Sequence, residues 1–390
     1  MGVYLDHAAT TPMLPEAIDA YARAMSEVGN PSSIHSAGQN ARRLLEESRE
    51  AVAESLGCDP IEVVFTSGGT EAINLALKGG FWAARAASDE RRRIVSPEGE
   101  HHATIDTIEW LVAHEGAQAS WVPLDEQGFI QTDAWAEALR GDDVAVATAL
   151  WANNEVGTIE PVAALASAAA SASVPLHLDA VAAYGHVPIS FRELGIASLS
   201  VSAHKIGGPV GIGALVLSRR ASVVPTVHGG GQQRNVRSGT QDVAAAVSFA
   251  VAARAAVASL DAERERLTAL RDRLIAGVRA AVPAARLSGP EGDARVASNA
   301  HFTFPGAQGD SLLFLLDAAG VAVSTGSACQ AGIPEPSHVV LAMGRATAEA
   351  SSALRITLGR TTTQADVDAF LAALPDAYAR AAKAGFTTSG

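Results

Sequence analysis

The sequence predicts an α/β protein of two packed units, a large one around a mostly parallel sheet and a smaller α+β one. Three observations carry that expectation. Between about residues 60 and 220, short β-branched runs alternate with helical patterns. One of these runs, Val144–Leu150, is apolar almost throughout, as a parallel strand covered on both faces would be. A long helical stretch over Val243–Ala281 then leads into a region where strands and helices mix. A length of 390 residues suits two domains better than one.

Taken in order, strands are expected at Val63–Thr66, 93–96, Val144–Leu150, 176–178, 198–203 and Gly213–Leu217. Helices are expected between them at 71–78, 103–114 and 161–173. In the long stretch, Leu260, Leu267, Leu270, Leu274 and Val278 fall near helical spacing with Arg and Glu between them. Pro283 and the turn Gly289-Pro290-Glu291-Gly292 end it. The remainder reads as strands at 301–304, 321–324 and 354–357, with helices at 311–318 and 364–374. No internal repeat or low-complexity linker interrupts the chain.

Composition removes several classes. Apolar residues make up 48% and charged residues 18%, which allows a large core and argues against disorder. A formal net charge of −13 argues against direct nucleic-acid binding. The cluster Arg91-Arg92-Arg93 reads as a solvated loop. The start, MGVYLDHAATTP, lacks the basic and apolar segments of a signal peptide. No run of ~18 apolar residues free of charges and turn formers is seen, so no membrane span is expected. The two cysteines, Cys58 and Cys329, lie far apart and point to a reducing cytoplasm rather than a disulfide scaffold.

Open α/β sheets bind ligands at the carboxyl ends of their strands, so residues just past each run matter most. Ser202-Ala203-His204-Lys205 follows one such run and precedes a glycine-rich turn. A lysine desolvated there gains a nucleophilic amine suited to an aldehyde; the bland alternative is a surface lysine before a turn. Asp179 ends another apolar run, where it could serve a buried cationic ring or simply cap the next helix. Thr66-Ser67-Gly68-Gly69-Thr70-Glu71 joins a strand to a helix. That arrangement makes an anion site of backbone N–H groups, or a plain helix start. It lacks the Gly-Lys-Ser/Thr of a nucleotide P-loop, so a single phosphate fits better. His101 follows a strand and could lie flat on a planar ring. His102 and His114 are nearby, but no cysteine accompanies them and no metal site is expected. Cys329 sits among small residues in Ser324-Thr325-Gly326-Ser327-Ala328-Cys329, as an accessible nucleophile would, whereas Cys58 reads as incidental.

This set resembles the cysteine desulfurases of the class V aminotransferase group, with the pyridoxal-phosphate (PLP) fold type I. The resemblance runs through the segment 4–12, Gly29-Asn30-Pro31-Ser32-Ser33, the segment 66–74, Glu100-His101, Asn153-Asn154-Glu155-Val156-Gly157, Asp179 and the segment 202–205. It continues through His228-Gly229-Gly230-Gly231, Arg237-Ser238-Gly239-Thr240, Gly326-Ser327-Ala328-Cys329 and the segment 354–360. It implies a large PLP-binding domain over 13–254 and a small one over 255–390 with 1–12, the latter carrying the Cys329 loop. It also implies that Lys205 holds PLP, Asp179 pairs with the ring nitrogen and His101 stacks on the ring. Gly69, Thr70, Ser202 and His204 would cradle the phosphate, and Thr240 would reach the partner's phosphate in a homodimer. Asn154 and Arg355 would position L-cysteine, Arg355 forking onto its carboxylate. Cys329 would take the sulfur as a persulfide and hand it to an acceptor, an iron–sulfur scaffold or a tRNA thiolation enzyme. The rival chemistries on this fold are selenocysteine or other C–S lysis and transamination, and Cys329 separates them, since transamination needs no such thiol.

One position departs from the family pattern. Three residues after Asp179 the family usually has Gln, a donor to the ring hydroxyl oxygen, and here Ala182 stands there. Losing that donor is expected to alter the cofactor's electronics, unless water substitutes for it.

Overall fold

The computed structural model describes residues 2–326 and 335–387. Its centre is a seven-stranded sheet in the order Val63–Thr66, Gly213–Leu217, Ser198–Ser202, Leu176–Asp179, Val144–Leu150, Arg93–Pro97, Gln118–Val122. Gly213–Leu217 runs antiparallel to both its neighbours, and the other adjacent pairs are parallel. Val144–Leu150, Leu176–Asp179, Ser198–Ser202 and Gly213–Leu217 are buried along their whole length, and the first and last of these read as near-continuous apolar runs. The expected α/β fold class therefore stands, with a mostly parallel central sheet.

The helix Gly69–Ala87 is longer than the 71–78 expected, running on through Gly79, Gly80 and Phe81. The helix Gln364–Thr387 likewise runs beyond 374 and takes Pro375 inside it. Among the helices longer than ten residues, two were not expected from the sequence, Pro15–Met25 and Ser36–Leu56; the short helices Thr132–Ala138, Phe191–Leu194, His338–Ala342 and Thr347–Ala350 were not expected either. Pro15–Met25 buries only Ala17 and Ala20, and Ser36–Leu56 is mostly polar and even buries Ser48 and Arg49. Arg49 is tolerated there because Nη1 donates to Val63 O, and the guanidinium lies 4.9 Å from the Phe65 ring centre.

The long helix Val243–Ala281 runs from one to the other of the two largest apolar cores among the described residues. Its first half, through Ala253, buries small residues against the central sheet's core, and Leu267, Leu274 and Val278 belong to the second core. By length and composition alone this helix could cross a bilayer; here its apolar face meets these two cores. The second core also holds Leu5, Phe302, Phe304, Leu354 and Ile356. Strand Asn299–Thr303 pairs antiparallel with Ala353–Thr357, and Val3–Tyr4 pairs parallel with Val321–Ala322. The chain's start is thus woven into the region formed by its end.

Candidate active site

Strand register gathers the site. Leu150 lies opposite Asp179, Asp179 opposite Ser200, Ser202 opposite Gly213, and Gly213 opposite Thr66. Thr66, Ser202, Asp179 and Leu150 therefore share one edge of the sheet. A cavity of about 310 Å³ opens there, of the size usual for small-molecule sites. Asp179, Ser202, His204 and Lys205 enter it from strand ends, and Gly69 and Thr70 from the start of a helix. His101, Asn154, Ala182 and Arg355 complete the walls.

Lys205 closes the short turn Ala203–Lys205 directly after its strand. Its Nζ donates to Ala8 O and, at 2.9 Å, to Ala9 O. The N-terminal segment thereby folds over the lysine. Asp179 is 2% exposed. Its Oδ1 accepts from Val181 N at 2.9 Å and Ser200 Oγ at 3.0 Å. Burial pushes its carboxyl up, opposed by those two hydrogen bonds and by Lys205. Glu100, fully buried nearby, is pushed up further by burial and by Asp179, while Leu150 N donates to its Oε1 at 2.6 Å.

The helix Gly69–Ala87 points its N-terminus at the cavity, offering unpaired N–H groups and a positive dipole end. Glycine is required at its start. A Cβ on Gly69 would come within 2.7 Å of Val181 Cγ2, and one on Gly213 within 2.6 Å of Val201 O. Glu71 in the first turn pairs with Arg237 Nε at 2.8 Å, which ties the segment bearing Thr240 beside this helix. Thr240 itself is exposed and is not among the residues lining this chain's cavity.

His101 caps the helix His102–Glu115, its Nδ1 accepting from Ala103 N at 3.0 Å. Burial, and then Lys205, lower its pKa to about 4, so the ring is neutral at pH 7 with its proton on Nε2. His204 is lowered to about 4 by the same two causes, and its Nδ1 lies 3.2 Å from Thr10 Oγ1. Arg355 is held by Asn154 O at 2.9 Å on Nη1 and by Asp6 Oδ1 at 3.0 Å on Nη2. Its Nε is buried with no partner among the described residues. The fork is thus pre-oriented with donor capacity left for a carboxylate.

Cys329 lies outside the described residues. Cys58 is buried, and burial raises its thiol pKa to about 12, which leaves it inert. Asp6, Ala8, Ala9, Glu100 and Glu155 lie in the segments that carry the family resemblance, yet none of them had an expected role. Ser337 Oγ donates to buried Glu155, with His338 Nδ1 at 3.7 Å. Their roles depend on contacts between distant segments; Asp6 and Arg355 are 349 positions apart.

The donor set fits pyridoxal phosphate. A buried carboxylate wants a cation such as a protonated ring nitrogen, a helix N-terminus beside Thr70 and Ser202 suits one phosphate, and a lysine suits the aldehyde. The chain has only three lysines, Lys78, Lys205 and Lys383. Lys78 Nζ sits 4.2 Å over the Trp110 ring and Lys383 is exposed, so Lys205 alone lines the cavity.

Residues 3–370 match the aminotransferase class-V family. An IscS-like cysteine desulfurase of Mycobacterium tuberculosis is 52% identical over 388 residues, 99% of each chain. This chain belongs to the cysteine desulfurase family. Cysteine desulfurase IscS of Dictyoglomus turgidum is 41% identical over 367 residues, covering 94% of this chain and 92% of that one. Among solved structures, a NifS-like protein superposes with a TM-score of 0.89 at 32% identity, covering 97% of this chain and 100% of that one. Cysteine desulfurases of this group are pyridoxal-phosphate enzymes, in keeping with the donor set above.

Proposed function

We propose that this chain converts L-cysteine to L-alanine with PLP held by Lys205, and takes the sulfur onto Cys329 as a persulfide. The observation that carries the reading is the convergence of Lys205, Asp179, His101 and Arg355 on one cavity at the sheet edge. When bound, PLP supplies an electron sink for negative charge at the substrate's α-carbon. Asp179, fixed by Val181 N and Ser200 Oγ, holds a proton at the ring nitrogen. Arg355 receives the substrate carboxylate, with Asp6 and Asn154 O aiming its fork. The Lys205 amine takes the α-proton, and neutral His101 is placed to relay protons across the cavity.

The Cys329 thiolate then attacks the substrate sulfur. An S–S bond forms and the C–S bond breaks, its electron pair staying on the carbon skeleton, which takes up protons and leaves as alanine. Cysteine and thiol become alanine and persulfide, with no outside oxidant. The chain works as a homodimer in the cytoplasm, Thr240 reaching the partner's phosphate. Its exposure and the Arg237–Glu71 anchor support that reading. The persulfide sulfur passes to an acceptor protein, an iron–sulfur scaffold or a tRNA thiolation enzyme.

The test is alanine release from L-cysteine with a reductant present, comparing the protein with Cys329→Ser. Loss of turnover in the variant is expected. Equal turnover would remove Cys329 from the reaction, and no alanine from either would remove cysteine as the substrate.

A further inference from the structure

Ala182 stands where two spaces meet. It lines the main cavity and also a smaller one of about 40 Å³ behind it. Asn154 and Lys205 border both spaces, and His186 borders the smaller one. A buried water needs on the order of 10–15 Å³ and a few polar partners, so this space is large enough for water.

Most polar groups around it are already committed. His7 Nδ1 lies 2.8 Å from Thr11 Oγ1 and its Nε2 3.3 Å from Thr362 Oγ1. Asn153 accepts from Glu155 N and Val156 N and donates to Gly99 O. Asn299 donates to Glu155 O and accepts from Arg295. The His186 ring, four residues beyond Ala182, has no hydrogen bond among the described residues. It also faces a second cavity of about 100 Å³ shared with His7, Glu263, Arg264 and Arg360. Burial, partly opposed by Glu263, lowers its pKa to about 4. The ring is therefore neutral and offers one donor and one acceptor.

We propose that His186 is a positioning residue: it anchors water in the space beside Ala182, and that water hydrogen-bonds the bound cofactor's phenolic oxygen in place of a side chain at 182. The inference rests on the cofactor reading above and adds a residue to it. Its consequence is non-additivity. Ala182→Gln fills the space, displaces the water and makes the bond directly, so His186 becomes dispensable in that background.

The experiment is a double-mutant cycle on the holoenzyme, reading the pH midpoint of the cofactor's visible absorbance band and the affinity for pyridoxal phosphate. His186→Ala alone should shift the midpoint by about 1 pH unit. In the Ala182→Gln background the same change should move it by less than about 0.3 unit. Should His186→Ala fold poorly, His186→Gln keeps a donor in place and should hold the wild-type midpoint. Equal shifts in both backgrounds, or none in either, overturn the proposal while leaving the enzyme's reading intact. Absence of any cofactor band in the wild type would instead bring down both.

Discussion

The two walls of the cavity are made differently. One is a frame of strand ends: Leu150, Asp179 and Ser202, with Lys205 one short turn further on, fixed by ladder register in a buried sheet. The other is a seam of distant pieces: Asp6, Ala8 and Ala9 from the chain's start, Asn154 from a loop, and Arg355 from the strand Ala353–Thr357. The frame holds the groups that do chemistry. The seam, lying between two apolar cores, holds the groups that would meet the substrate's carboxylate. A small relative motion of the two cores would change recognition without disturbing the frame, which is a useful separation in an enzyme that must admit a substrate and release a product.

That contrast can be broken by mutation, and the largest effect should fall on the frame. Lys205→Ala removes the only lysine of the cavity and should lower alanine formation by ~10³-fold or more, measured in steady-state assays. Asp179→Ala, read by cofactor titration and turnover together, should cost roughly 10²–10³-fold, since it leaves a cationic ring without its buried partner. On the seam, Asp6→Ala frees one side of Arg355 and should raise KM for cysteine about tenfold with kcat little changed. A fall in kcat at constant KM would instead place Asp6 with the frame.

A smaller effect concerns a buried carboxyl that lies outside both walls. Burial raises the Glu160 pKa to about 8, with Ile130 N donating to its Oε2 at 2.9 Å. Its folded value lies above the unfolded one, near 4.3. Its contribution to stability is complete below that unfolded value and is lost as pH rises toward 8. Glu160→Gln should therefore gain on the wild type in melting temperature as pH increases from 4.5 to 8. A difference that stays constant over that range would contradict the shift. The smallest effect belongs far from both walls. Arg43 and Glu47 pair at 2.7 Å with about half of each side chain exposed. Arg43→Ala should change stability by less than about 0.5 kcal/mol in denaturant titrations.

The same contrast explains what could be read from the sequence. Val144–Leu150 and Gly213–Leu217 were legible because burial on both faces leaves continuous apolar runs, and functional residues follow such runs directly. Asp179, Ser202 and Lys205 thus had a local signal. Gln118–Val122, one of the sheet's two edge strands, is only partly buried and carried a weaker pattern. Pro15–Met25 offers only Ala17 and Ala20 as fully buried apolar positions, too few for a period to show. The Asp6–Arg355 pair arises only when the first and last strands meet, so no window of sequence contains it. Arg355 was found through family resemblance, and its carboxylate partner Asp6, though inside a matching segment, had no expected role.

The central claim is that the frame presents one lysine to the cofactor. The direct test is to reduce the purified protein with borohydride, digest it and map the phosphopyridoxyl mass by peptide sequencing. With three lysines in the chain, the account predicts that mass on the Lys205 peptide alone. The mass on Lys78 or Lys383, or on no lysine after incubation with pyridoxal phosphate, would contradict it.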